Sequence, residues 1–365
     1  MASKKRASIL YIYRMFYPEW GSVRIINELA FFMARKGHTI SVVSTMPSTI
    51  PSSKHECHLG VSIARLPFRL SSGGFAKSSL INHLILPVAC IPYALSSGRK
   101  DAVECSNFPM TLWLAGYLVK LIRGSRLVIR VDDIHPQSAA HIGIIKNSLS
   151  LWVLGLLSKL MYAKSDMIVV HSKESKRILV GEGAMTDKIK VVNLWADLDA
   201  IKHSLDYPAP LPMGMFDGGF TVTFAGLMSY AQGLDVVIEA AQVLKDKQDI
   251  RFLIIGKGPE LGKLKALAST YSLKNVSFWG FLPQDQYFSA IRQSDVCLVT
   301  LSGLLKLPVV PSKLIDIMAF GRCAIVVASE STGAAQLLRD SQSGLAVEPN
   351  SPKELAASIK LCPAA

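Results

Sequence analysis

The stretch 220-FTVTFAGLMSYAQGLDVVIEAAQVL-244, followed by 251-RFLIIGKGPE-260, decides the fold. Phe220–Ala225 is a short apolar run of the kind buried inside a parallel sheet. Leu234, Val237, Ile238, Ala241 and Leu244 then recur at helical spacing, and Arg251–Ile255 is a second buried strand. The alternation continues downstream through Val276–Trp279, Val296–Thr300, Ala324–Ala328 and Gly344–Val347, with helical patterns between them. Short apolar strands separated by helices imply a parallel sheet covered on both faces.

Upstream, Asp206–Gly219 (DYPAPLPMGMFDGG) is rich in Pro and Gly and carries no continuing element, so it reads as a linker. Before it runs another alternating series. Its strands are Ser8–Tyr13, His38–Thr45, Val61–Leu66, Asp101–Cys105, Arg126–Val131, Met167–His171 and Ile189–Asn193. The first helix is expected to bury Ile25, Leu29, Phe32 and Met33. The fold class is therefore α/β, with two doubly wound Rossmann-like domains facing a cleft: 1–205, a linker 206–219, and 220–365. Ligands of such sheets bind past the carboxyl ends of the strands.

The 365 residues, half of them apolar and 18% charged, exclude a disordered chain. Six scattered cysteines without a Cys-x-x-Cys pair argue against a zinc site or a disulfide framework and fit a reducing compartment. No basic-then-apolar leader opens the sequence. Charge is uneven: residues 1–199 carry 25 Lys and Arg against 13 Asp and Glu, whereas 200–365 are nearly neutral. A basic first half suits an anionic surface such as a membrane, a lipid-linked phosphate or nucleic acid, although solubility alone also explains it. No nucleic-acid motif or ladder of aromatic and basic residues is present, so nucleic acid is not an expected partner.

Ser78–Gly98 has no charged residue, but Pro87, Pro92, Asn82 and His83 interrupt it. It reads as a buried or surface-dipping helix rather than a span. Two further apolar helices, Met110–Ile122 and Leu149–Tyr162, are flanked by Lys120, Arg123, Lys159 and Lys164. Either attachment to a membrane face or core packing accounts for them.

Three loops carry chemistry. Tyr17–Ser22 follows the first strand and opens a helix; Gly21 lets backbone approach an anion there, or the loop is a plain turn. Gly256-Lys-Gly-Pro-Glu260 frees the backbone at a strand's carboxyl end, where a base or ribose fits; a tight turn is the alternative. The sharpest is Val310-Pro-Ser-Lys-Leu-Ile-Asp316, continuing to Met318-Ala-Phe-Gly321. Pro311 pre-sets a helix start. Ser312 and Lys313 then stand in a first turn with unpaired N–H groups and the positive dipole end, a setting suited to phosphate. Asp316 shares their face and is placed to accept ribose hydroxyls, or forms a surface i,i+3 pair with Lys313.

These segments, taken in order, resemble the family-4 retaining glycosyltransferases, which have the GT-B fold. The matching stretches are Gly37–Val43, Ala225–Gly233, Gly256–Glu260, Gly280–Pro283, Asp295–Leu298, Pro311–Gly321 and Gly344–Val347 with Pro349. The sequence looks closest to the polysaccharide branch with a Pro-Ser-Lys motif, the N-acetylfucosamine and N-acetylhexosamine transferases. The resemblance implies transfer of a sugar from a nucleoside diphosphate, UDP being the expected nucleotide, with retained configuration. It implies a lipid-linked or polysaccharide-precursor acceptor on the first domain and the nucleotide on the second. Ser312 and Lys313 would bind the diphosphate and Asp316 the ribose. Gly256, Gly258 and the backbone of Phe281, Leu282 and Pro283 would surround the base, and Gly226 and Gln232 would border the phosphates. No cofactor or metal is expected, since a lysine and a helix dipole suffice for a departing diphosphate. The expected location is cytoplasmic, peripheral at the inner membrane face.

The sequence also departs from that family. The first Glu of the pattern Glu-x7-Glu is Pro308 here, and the second is Asp316. Many relatives have a histidine where Asp132 follows Val131, so Asp132, Asp133 and His135 are the candidates to touch sugar or acceptor, or they only cap a turn. The chain also ends soon after its last helix. These departures leave open an inactive relative that binds nucleotide or a partner, and a sugar-nucleotide epimerase. A metal-dependent GT-A transferase, prompted by Asp197-Leu-Asp199, is disfavoured by the second α/β unit.

Overall fold

The structure is a computed structural model that describes residues 6–19, 23–47, 52–69, 84–141, 143, 145–247, 249–305 and 307–363. It has two compact α/β units, Met1–Asn193 and Leu194–Ala365. The division lies upstream of the expected linker. The reason is packing: Met215 is buried with Leu253, Ile255 and Leu282, and Gln286 Nε2 donates to the Pro210 carbonyl at 3.0 Å. The helix Leu198–Asp206 packs on the helix Gln284–Gln293. The stretch 206–219 is therefore part of the second unit.

The first unit has β1 (Ser8–Ile12), β2 (Thr39–Met46), β3 (His55–His58), β4 (Val61–Arg69), β5 (Ala102–Ser106), β6 (Arg126–Val131), β7 (Met167–Val170) and β8 (Ile189–Val191) in the order β3-β4-β2-β1-β5-β6-β7-β8. All pairings are parallel except β3 with β4. That edge hairpin escapes sequence reading because its turn places Leu59, not an Asn or Gly, at φ 48° ahead of Gly60 at φ 80°. The helix Arg24–Arg35 buries Ile25, Ile26, Ala30 and Phe31 and leaves Phe32 exposed, so its apolar face is rotated from the expected one. Of the charge-free run 78–98, Leu86–Ser96 is a helix that buries Leu86, Pro87, Cys90 and Ala94; residues 78–83 lie outside the described ones. Among the described residues no helix is long and apolar enough to cross a membrane.

The second unit has β9 (Phe220–Leu227), β10 (Ile250–Lys257), β11 (Val276–Trp279), β12 (Val296–Thr300), β13 (Cys323–Val327) and β14 (Gly344–Val347) in the order β11-β10-β9-β12-β13-β14, all parallel. Val222, Phe224, Phe252, Ile254, Leu298 and Ile325 form its core with Val237, Ala241 and Ile359 from the covering helices. In each sheet the order reverses once, between β1 and β5 and between β9 and β12. A crevice opens beyond the carboxyl ends of two strands whose connections depart in opposite directions, which is where doubly wound sheets bind ligands.

Candidate functional site

At the β9–β12 reversal the strands end in two different structures. After β9 the chain forms a short turn of helix, Tyr230–Gln232, closed by Gly233 at φ 59°. After β12 it runs irregularly to Pro311, where the helix Ser312–Ala319 begins. Pro311 (φ −63°, ψ 133°) is the residue that starts it, and no side chain caps its first turn. The N–H groups of Ser312 and Lys313 thus stand at the dipole's positive end.

Lys313 crosses from this helix to the β9 side. Its Nζ donates to Gln232 Oε1 at 3.0 Å and lies 3.9 Å from the centroid of the buried Phe224 ring. A Cβ on Gly226 would come within 3.2 Å of that Nζ, so the glycine keeps the channel for the lysine open. Desolvation pushes the amine down to about 7, because the ring and the amide replace water poorly around a full charge. Lys313, Gln232 and Gly226 are therefore neighbours in the structure, with Phe224 as a fourth member that sequence reading placed only in a buried strand.

Asp316 is not part of a surface pair: it is 1% exposed. Its Oδ2 accepts a hydrogen bond from Tyr287 Oη at 3.3 Å. The carboxylate is thus buried in the second unit with Tyr287 as a hydrogen-bond partner. Tyr287 carries no motif signal; only the packing of the helix Gln284–Gln293 brings it there.

Gly256 and Gly258 are required by the protein's own backbone. A Cβ on Gly256 (φ 138°) would meet the Gly226 carbonyl oxygen at 2.0 Å, and one on Gly258 would meet the Met228 carbonyl oxygen at 2.1 Å. Close approach of the β9 and β10 ends explains both residues without a ligand. Phe281 is half exposed, with Lys257 Nζ 5.4 Å from its ring centroid. Leu282 is buried in a cluster with Met215, Ala225, Leu253 and Ile255.

At the β1–β5 reversal of the first unit lies a chain of ionisable groups. Tyr13 Oη donates to Glu104 Oε1 at 2.9 Å, and Arg130 lies 3.8 Å from the same oxygen. Arg130 Nε donates to Asp132 Oδ1 at 3.0 Å. His171 Nε2 also lies 2.9 Å from Asp132 Oδ1, while its Nδ1 is 2.9 Å from the Val192 carbonyl. Desolvation works against the Asp132 charge, but the His171 hydrogen bond and the Arg130 charge outweigh it and hold the carboxyl below its usual range. Burial pushes the Glu104 carboxyl up, against the pull of Arg130. Asp132 is thus clamped from two sides rather than capping a turn.

The other two candidates make no side-chain hydrogen bond to that clamp among the described contacts but feel its charge: burial, and then the Asp132 carboxylate, push the Asp133 carboxyl up to about 6. The Asp133 carbonyl accepts from Asn107 Nδ2. The His135 ring packs 5.3 Å from the Phe108 ring, and burial pushes it down to about 4, which leaves it neutral at pH 7. Tyr13, Glu104, Arg130 and His171 were missed by sequence reading; each sits on or just past a strand, but nothing in the sequence pairs them. Gly21 lies outside the described residues. Among the described residues no group of three or more His, Cys, Asp or Glu is arranged to hold a metal.

Residues 219–362 match the family model "Glycosyl transferases group 1". A protein of Escherichia coli (strain K12) named for glycosyl transfer in colanic acid biosynthesis, WcaI, is 33% identical over 259 residues. That alignment spans 67% of this chain and 61% of WcaI, so the chain covers less than two thirds of that relative. Sucrose-phosphate synthase from Thermosynechococcus elongatus superposes with a TM-score of 0.72 at 14% identity, over 97% of this chain and 89% of its own. Anabaena HepE, in complex with UDP and glucose, superposes with a TM-score of 0.71 at 16% identity, over 98% of this chain and 90% of its own. With two Rossmann-like units, each reversing once, the chain has the GT-B fold, and its residues 219–362 resemble the group 1 glycosyl transferases.

Proposed function

We propose that the protein is a retaining glycosyltransferase. It moves a sugar from a nucleoside diphosphate, UDP, to a lipid-linked or polysaccharide-precursor acceptor. The observation that carries this reading is the Lys313 amine, held by Gln232 and the Phe224 ring beside an uncapped helix start at the β9–β12 reversal. A departing diphosphate develops negative charge, and the Lys313 amine, once protonated, and a helix N-terminus already in place stabilise it. This assigns charge stabilisation to the chain's own residues and makes the reaction independent of a metal. HepE holds UDP on a similar fold, and WcaI is named for polysaccharide synthesis; both support the donor and product class proposed.

The acceptor side is assigned to the clamp around Asp132. A carboxylate fixed by Arg130 and His171 is preorganised to orient a hydroxyl. The test is UDP release from UDP-sugars with and without a lipid-linked acceptor pool, repeated in chelator. Acceptor-dependent release that survives the chelator is expected. UDP binding without turnover on any donor would favour the inactive relative, the reading that Pro308 in place of the sugar-contacting Glu motivates.

A further inference from the structure

The helix Ser148–Lys164 is longer than its support. Ser158 Oγ donates to the His135 carbonyl at 3.1 Å, which fixes the level of Ser158 just beyond the end of β6. The helix runs back antiparallel to β6 to reach β7, so residues 148–157 rise past the carboxyl edge of the sheet. At 1.5 Å per residue that projection is about 15 Å. Ser158, Met161 and Tyr162 are its buried residues, and none of these lies in the projecting part.

The projecting part is also apolar. Residues 148–157 read SLSLWVLGLL, without a charge, and Leu149, Trp152, Val153 and Leu156 share one exposed face, the first two each 65% exposed. A soluble helix of this kind normally shows water a polar face. The surroundings are cationic. Residues 134–165 contain no Asp or Glu but include Lys146, Lys159 and Lys164, and the whole first unit carries 25 Lys and Arg against 11 Asp and Glu. An apolar wedge with Lys146 at its tip and Lys159 at its base, where Glu182 beside Tyr162 is the neighbouring carboxylate, in a unit of strong positive charge, complements an anionic lipid surface. Its length excludes a span.

We infer that the projecting half of this helix docks the first unit on an anionic bilayer. Leu149, Trp152, Val153 and Leu156 enter the acyl boundary, and Lys146 and Lys159 meet lipid phosphates. This deepens the reading of a lipid-linked acceptor, because it brings the carboxyl edge carrying the Asp132 clamp to the membrane surface.

The test uses the full chain and flotation with vesicles of phosphatidylcholine containing about one third phosphatidylglycerol. The variant Leu149→Ser/Trp152→Ser/Leu156→Ser should lower vesicle partitioning about tenfold or more, with UDP affinity unchanged. Lys146→Gln and Lys159→Gln should each lower it roughly fivefold, and added salt should do the same. Brominated lipid should quench a component of wild-type fluorescence that Trp152→Phe removes, a readout that survives if the triple variant misfolds. Unaltered partitioning of a folded triple variant, equal binding to pure phosphatidylcholine, or absence of the Trp152 quenching would each overturn the inference. So would self-association abolished by the triple variant in a chain that ignores vesicles, since the face would then meet a second copy. UDP binding that persists through any of these failures leaves the transferase reading standing by itself.

Discussion

If Lys313 grips the diphosphate, UDP binding must take up a proton. The free amine is held down to about 7 by desolvation, whereas a bound diphosphate would restore its charge. At pH 8.5 an amine of that pKa is only about 3% protonated, so binding must draw a proton from solution. Between pH 7.5 and 9 the Kd for UDP should therefore rise about tenfold per pH unit. The nucleotide does not confuse the slope, because the terminal phosphate loses its own proton near pH 6. Near pH 6.5 the amine is charged before binding, and Lys313→Met should cost about 1.5–3 kcal/mol, or roughly 10- to 150-fold in Kd. The variant should show a flat profile, and the two proteins should converge toward pH 9. Titration calorimetry in buffers of different ionisation enthalpy should count close to one proton taken up by the wild type at pH 8 and none by the variant. A flat wild-type profile, or a variant that binds UDP like the wild type at pH 6.5, would refute the assignment. The same shift has a stability consequence. The folded-state value lies below the unfolded 10.5, so the unfolded chain binds the extra proton between about pH 7 and 10.5. Stability from this group rises with pH across that window, and Lys313→Met should remove that slope.

Other outcomes test the remaining structure. Gly256→Ala and Gly258→Ala should each destabilise the chain by more than about 2 kcal/mol in urea melts, because their Cβ atoms would strike neighbouring backbone carbonyls rather than mobile side chains. Glu104→Leu takes away the acceptor of Tyr13 Oη and a charge beside Arg130; a loss of about 3 kcal/mol is expected by chemical denaturation, and a neutral result would show the network is dispensable to the fold. Asp132→Asn should lower sugar transfer about tenfold or more while leaving the Kd for UDP within about twofold, since the clamp lies in the first unit and the nucleotide is assigned to the second.

Much of the architecture was legible along the chain. Arg126–Val131, Val276–Trp279, Val296–Thr300 and Gly344–Val347 are strands to the residue, and the other expected strands shift by one to three at their ends, as unbroken apolar runs between helical patterns allow. The edge strand His55–His58 was not legible, because half its residues are polar and its turn uses a leucine. Pro311 announced the start of its helix, since its fixed φ and missing N–H suit only the first turn. The Lys313 partners were readable in part: Gln232 lies in a motif, but Phe224 looked like any core residue.

Sequence by itself determined which segments are strands of parallel sheets, because local apolar periodicity and glycine or proline punctuation are short-range properties. It determined the cationic bias of the first half for the same reason: charge is counted, not folded. Tertiary structure alone decided that Lys313 leaves its own helix face for Gln232, that Tyr287 donates to the buried Asp316, and that Arg130 and His171 clamp Asp132. Lys313 and Gln232 are 81 residues apart and His171 and Asp132 are 39 apart. Contacts over such separations depend on strand order, which brings chain ends together across a sheet without leaving a trace in either local sequence.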